Sequence, residues 1–114
     1  MAKSYKEITR ELSQNLATFR KAQPDVMAGF SSMASAATKT ATLDSKTKEL
    51  IALGIGVACR CDGCIGFHCQ KLVALGASRE EVAETLGLSV YMGGGPSLMY
   101  AADALKAFDE FSET

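Results

Sequence analysis

The chain has 114 residues, 47% of them apolar and 22% charged, values that suit one globular domain (1-114) and exclude disordered and fibrous classes. Twelve Lys and Arg against thirteen Asp and Glu leave a formal charge of -1, with the cations dispersed along the chain, the opposite of the basic face that a nucleic-acid partner requires. The longest apolar run, Leu50 to Cys59, is ten residues against roughly 20 for a bilayer span, so no membrane partner is expected.

Residues 1-14 carry charges of both signs and no apolar core segment. They do not read as a secretory signal, and a cytoplasmic location is expected. In that reducing setting the four cysteines should be reactive or metal-binding rather than structural disulfides.

Ser4 to Glu7 has the form of a capping box, and Ile8, Leu12, Leu16 and Phe19 then share one helical face. The pattern predicts a first helix over about Tyr5 to Lys21. Pro24 suits the first turn of a second helix bearing Val26, Met27, Phe30 and Met33. The small-residue tract Ser35 to Thr42 follows, either a contact surface or the frayed end of that helix. These N-terminal helices, 1-41, precede the chemistry-bearing region.

Asp44 is an N-cap for a third helix over Ser45 to Ala58. Beyond Glu49 that helix is apolar on every side, with Leu50, Ile51, Leu53, Ile55 and Val57, so it should be shared between the core and a subunit contact. Arg60 to Gly63 reads as a turn, and a fourth helix then runs to about Leu75 with Gly76 as its stop. Ser78 to Glu81 is a second capping box, opening a fifth helix with Val82, Leu86 and Val90 on one stripe. Gly93 to Gly95 breaks the chain and Pro96 begins a last helix with Leu98, Ala101, Ala102, Leu105 and Phe108. The triple glycine is a helix break and not a phosphate cradle, since neither a strand before it nor Lys-Ser/Thr after it is present. The expected fold is an all-α bundle of about six helices.

The chemistry concentrates in Glu49 to His68. Cys61 and Cys64, three apart, place both sulfurs on one face of a first helical turn, close enough for a reversible disulfide. The unpaired N–H groups there favour thiolate over thiol. His68 lies one turn beyond Cys64 and can exchange its proton. If the third and fourth helices pack antiparallel, Glu49 reaches His68 and orients the ring, completing a relay. Taken singly, each part has an ordinary structural reading. Zinc is the competing chemistry, with Cys59, Cys61, Cys64, His68 and Cys69 within eleven residues, yet Cys69 is rotated by roughly 140° from Cys64 and is expected to be a buried apolar residue. Cys59 should face the site or a subunit contact. Tyr91 and Tyr100 are expected to pack rather than line the site.

With Glu49, eleven residues, Cys61-x-x-Cys64, three residues and His68, the chain resembles the carboxymuconolactone decarboxylase-like superfamily, within it the AhpD-like alkylhydroperoxidases. The stretch Leu72 to Val82 is similar to the family's continuation, and the resemblance spans about 42-108. It implies a helical homo-oligomer, trimer or hexamer, acting as a thiol-dependent peroxidase or disulfide reductase, with no cofactor, haem or metal. It implies a cysteine pair cycling between dithiol and disulfide, a Glu-His proton relay, a hydroperoxide or disulfide substrate, and a lipoyl-type or thioredoxin-like dithiol donor. Longer AhpD proteins carry a histidine between the cysteines, where this chain has Gly63, and a second helical half, for which self-assembly is the natural replacement. His68 favours Cys64 as the proton-relayed thiol and Cys61 as its partner, whereas general Cys-x-x-Cys logic makes the first cysteine attack. Two further functions stay open: a lyase such as a carboxymuconolactone-type decarboxylase, using Glu49 and His68 as acid and base, and a non-catalytic redox-sensing oligomer.

Overall fold

A computed structural model describes residues 3-113 as six helices: α1 (Tyr5–Ala22), α2 (Pro24–Thr38), α3 (Ser45–Ala58), α4 (Asp62–Ala74), α5 (Arg79–Gly93) and α6 (Gly95–Ser112). Among these residues there is no strand, and no helix is long and apolar enough to cross a membrane. Helix α3 packs between α4 and α5, α6 closes the far side against α4 and α5, and α1 lies across α4. Leu53, Val57, Ile65, Leu72, Val82 and Phe108 form the centre of one core.

Small residues set the helix spacings. The Ser89 hydroxyl donates to the Gly54 carbonyl at 3.0 Å, joining α5 directly to the backbone of α3. Ala101, Ala104 and Ala107 are buried along α6, which lets that helix sit close to its neighbours. Burial of apolar surface at about 25 cal/mol per Å² drives this packing.

Between α3 and α4 the connection is as short as capping allows. The Arg60 N–H donates to the Val57 carbonyl and the Cys61 N–H to the Gly56 carbonyl, at 3.1 and 3.0 Å, the paired bonds that close a helix C-terminus. Cys61 then caps α4, its sulfur accepting the Cys64 N–H at 3.1 Å. One residue therefore ends α3 and begins α4. The cost falls on Arg60, which takes a φ of 57°; the matching position after α4 is Gly76. A side chain in this region costs about 1 kcal/mol. Arg60→Gly is therefore expected to stabilise the fold by about 0.5 kcal/mol, after the added flexibility of the unfolded chain. Urea unfolding should show a raised midpoint at unchanged slope; a lowered midpoint would assign Arg60 a compensating contact.

At the N-terminus the capping box is only half formed. Ser4 Oγ accepts the Glu7 N–H at 3.3 Å, but the carboxylate that satisfies the other groups is Glu110 of α6. It accepts from Ser4 Oγ at 2.6 Å, Tyr5 N at 2.9 Å and Lys6 N at 3.3 Å. Burial pulls the Glu110 pKa upward, and the bonds from Ser4, Tyr5 and Lys6 outweigh it and hold the carboxyl below its ordinary value. A depressed folded pKa gives stability that is present above the unfolded value and lost as pH falls through the folded one. Glu110→Ala should therefore fray α1 from its first turn and cost about 1 kcal/mol with solvent screening included. Protection of the Tyr5 and Lys6 amides from exchange, relative to the unfolded chain at the same pH, should be lost in the variant at neutral pH and in the parent only on acidification.

The far end of α1 departs from the expected pattern. Tyr5 and Thr9 are buried, Ile8 and Leu12 are half-buried, and Leu16 and Phe19 are exposed. Helix α2 buries no residue, with Val26, Phe30 and Met33 all exposed. The radius of gyration, 14.3 Å, exceeds the about 13 Å of a compact chain this long, as such an arm requires. Ile51 and Ile55 of α3 and Leu98 of α6 are also exposed. Tyr91, expected to pack, is exposed as well, whereas Tyr100 packs against the core with the Lys3 ammonium 5.5 Å from its ring.

Candidate functional site

Antiparallel packing of α3 and α4 brings Glu49, in the first turns of α3, against the middle of α4. The Glu49 carboxylate, only 2% exposed, meets His68 Nδ1 at 2.7 Å. A carboxylate can only accept, so Nδ1 carries the hydrogen and Nε2 is left for proton exchange. His68 itself is part-buried, its side chain 29% exposed.

Cys61 and Cys64 are joined as a disulfide across the first turn of α4, with Cα atoms 5.2 Å apart. Both are partly accessible. Gly56 makes room for the pair, since a Cβ at that position would stand 3.0 Å from Cys64 Cβ. The opposite face is covered by α1, where a Cβ at Gly63 would lie 2.7 Å from Leu12 Cδ1. The chain thus fills with Leu12 the space beside the position where longer AhpD proteins carry a histidine.

The remaining cysteines stand apart. Cys69 is fully buried, its S–H donating to the Ala104 carbonyl at 3.5 Å, and burial pushes its thiol up to about 12. Cys59 is free and exposed at the end of α3. Among the described residues no three of His, Cys, Asp and Glu converge in a way that could hold a metal ion.

A groove of about 540 Å³ opens beside the relay, lined by Ala34, Ser35 and Thr38 of α2 and by Phe67, His68 and Lys71 of α4. Glu49 forms part of its floor, and the cysteines do not line it. The tract after Ser35, ambiguous as a pattern, is helical through Thr38 and supplies this wall.

Sequence reasoning read Asp62 only as a turn former or cap before α4 and did not find its contacts with Lys3 and Tyr5. Asp62 stands at the first position of α4, next to Cys61, and accepts from Lys3 Nζ and the Tyr5 hydroxyl, each at 3.2 Å. Lys3 also reaches Asp103 at 3.3 Å, so residues distant in sequence clamp the turn that carries Cys61.

Comparison with known proteins agrees with this architecture. Residues 24–107 match the model of the carboxymuconolactone decarboxylase family, a span that takes in α2 as well as the region from 42 onward. A crystal structure of a carboxymuconolactone decarboxylase family protein from Legionella pneumophila is 62% identical, with a TM-score of 0.93, covering 96% of this chain and 97% of that one. A second, from Thermotoga maritima, is 30% identical with a TM-score of 0.82 over 92% of this chain and 90% of that one; it is described as a candidate for involvement in the antioxidative response. An uncharacterised protein of Cupriavidus necator is 39% identical over 99 residues, 87% of this chain and 88% of its own length.

Proposed function

We infer the function from one premise: the chain belongs to the carboxymuconolactone decarboxylase family. Within that family we propose an AhpD-like thiol-dependent peroxidase and disulfide reductase, with Cys61 and Cys64 as the redox pair and His68 and Glu49 as the proton relay. The observation that carries this reading is the Glu49–His68 bond of 2.7 Å between α3 and α4, with His68 one turn beyond Cys64 on the helix that carries the Cys61–Cys64 disulfide.

Cys61 caps α4 and its sulfur accepts an amide hydrogen, an environment that favours its thiolate. In the proposed cycle Cys61 loses its proton to solvent, the thiolate attacks the terminal hydroperoxide oxygen, the O–O bond breaks, and the alkoxide takes a proton back from solvent and leaves as an alcohol. Cys61 becomes a sulfenic acid. Cys64 gives its proton to His68 Nε2, attacks the Cys61 sulfur and expels hydroxide, which takes that proton and leaves as water. Two thiols and one hydroperoxide yield one disulfide, one alcohol and one water. A dithiol donor, lipoyl-type or thioredoxin-like, then reduces the pair, so a reducing compartment such as the cytoplasm belongs to the reading. The test is hydroperoxide consumption with dihydrolipoamide as reductant; an absence of turnover above the free dithiol would remove the peroxidase function.

The unpartnered faces of α1, α2 and α3 support a homo-oligomer, a trimer or hexamer. Leu16, Phe19, Val26, Phe30, Ile51 and Ile55 are all exposed, and large apolar side chains left bare on several helices are what subunit contacts cover. Light scattering that returned a single-chain mass would contradict this.

A second reading has one observation in its favour. The groove reaches Glu49 and His68 but not the cysteines, an arrangement that also suits acid-base lyase chemistry. Turnover that survived alkylation of every thiol would select it.

A further inference from the structure

We propose that the groove beside His68 is a binding site for a short amphipathic monocarboxylate, with Lys71 holding the carboxylate and the chain lying toward His68. This deepens the peroxidase reading, on which it rests for its biological sense, by naming the chemical class that approaches the relay.

The groove is the right size and is built from parts with separable tasks. Its volume, about 540 Å³, falls within the roughly 300–1,000 Å³ of small-molecule sites. Phe67, Ala34 and Ala74 supply apolar walls, while Ser35, Thr38 and Gln70 supply scattered polar groups. Such a lining accepts a hydrocarbon body and orients it through few contacts.

Charge decides which end group fits. Lys71 lines the groove and makes no ion pair with any described residue. The one carboxylate of the lining, Glu49, is buried and committed to His68. An anionic ligand therefore meets the Lys71 ammonium and no free carboxylate, although the chain as a whole is slightly acidic. A cationic ligand meets the reverse.

Register places the two ends of the ligand. His68 and Lys71 are three residues apart on α4, about 4.5 Å along its axis, and on neighbouring faces. With the carboxylate at the reach of the Lys71 side chain, a chain of several carbons extends back past Phe67 to the Nε2 side of His68. The site thus grades from cation to apolar wall to proton relay.

The protein has one histidine, so the Cε1–H resonance of His68 is an unambiguous reporter. It is followed at fixed pH on the disulfide form, without peroxide, during titration with octanoate, octanamide or octan-1-ol. Octanoate should give a saturable shift, with the two neutral probes at least about fivefold weaker. Lys71→Gln should weaken octanoate about fivefold, the weight of one partly screened ion pair, while Lys71→Arg retains it. No saturable shift, equal affinity for the neutral probes, or a Lys71→Gln variant that binds octanoate as the parent does would each overturn the proposal. Because no turnover is read, a negative result leaves the peroxidase reading standing, and an inactive peroxidase leaves the binding result interpretable.

Discussion

Cys64→Ser is expected to abolish catalytic turnover of hydroperoxide while leaving the fold unchanged. Serine is slightly smaller than cysteine and fits the space that Gly56 leaves beside Cys64 Cβ, so structure and stability should persist. The variant retains Cys61 at the cap of α4, where its sulfur lies at the backbone N–H of residue 64. It should therefore react once with peroxide and stop at the sulfenic acid, because no second thiol stands within reach to expel water. Trapping with dimedone should label Cys61 in Cys64→Ser, and mass spectrometry locates the adduct. Cys61→Ser should instead lose the fast reaction altogether. A Cys64→Ser protein that kept turning over would transfer the resolving role to another thiol, and the exposed Cys59 is the one to test.

The second large effect concerns the relay. Glu49→Gln and His68→Gln should each slow formation of the Cys61–Cys64 disulfide, and with it hydroperoxide turnover, by roughly 10² to 10⁴-fold, the ordinary weight of positioned general acid-base catalysis. Glutamine at position 49 still accepts from Nδ1 but no longer offers a charge to stabilise the imidazolium, so ring orientation is kept and proton transfer is lost. The double variant should be little worse than either single one, because the pair acts as a unit. Circular dichroism and unfolding curves separate this from misfolding. If both variants react as fast as the parent, the relay has no part in the chemistry.

Local spacing made the centre of the site legible. The interval from Glu49 to His68 places one turn of α3 against one turn of α4 as soon as the two helices are antiparallel, and the Glu49–His68 bond follows. The capping signals at Asp44 and Ser78 were equally local, and both side chains accept the expected N–H groups. What the sequence hid were contacts between residues far apart in the chain. Glu110 caps α1 across 105 residues, and a Ser-x-x-Glu pattern at Ser4 concealed it by offering a nearer carboxylate. Lys3 and Tyr5 reach Asp62 only because α1 lies over α4, which no periodicity encodes.

Amphipathic periodicity also overstated burial. Leu16 and Phe19 continue the stripe of Ile8 and Leu12, yet α1 runs past the end of the core and leaves them exposed. The stripe reports which residues share a face of the helix and not how far the core extends beneath that face. A fully apolar α3 with Leu53 and Val57 buried but Ile51 and Ile55 exposed tells the same story at the opposite surface. The α2 wall of the groove was illegible for a different reason: alanine, serine and threonine carry neither strong periodicity nor obvious chemistry, and their role comes from facing His68.

The most direct test is thiol counting by mass spectrometry on the reduced protein before and after one equivalent of an organic hydroperoxide. Of the four cysteines, two thiols should disappear together as a Cys61–Cys64 crosslink, with Cys59 and the buried Cys69 unchanged. Retention of all four thiols, or a crosslink that includes Cys59, would contradict the two-cysteine account.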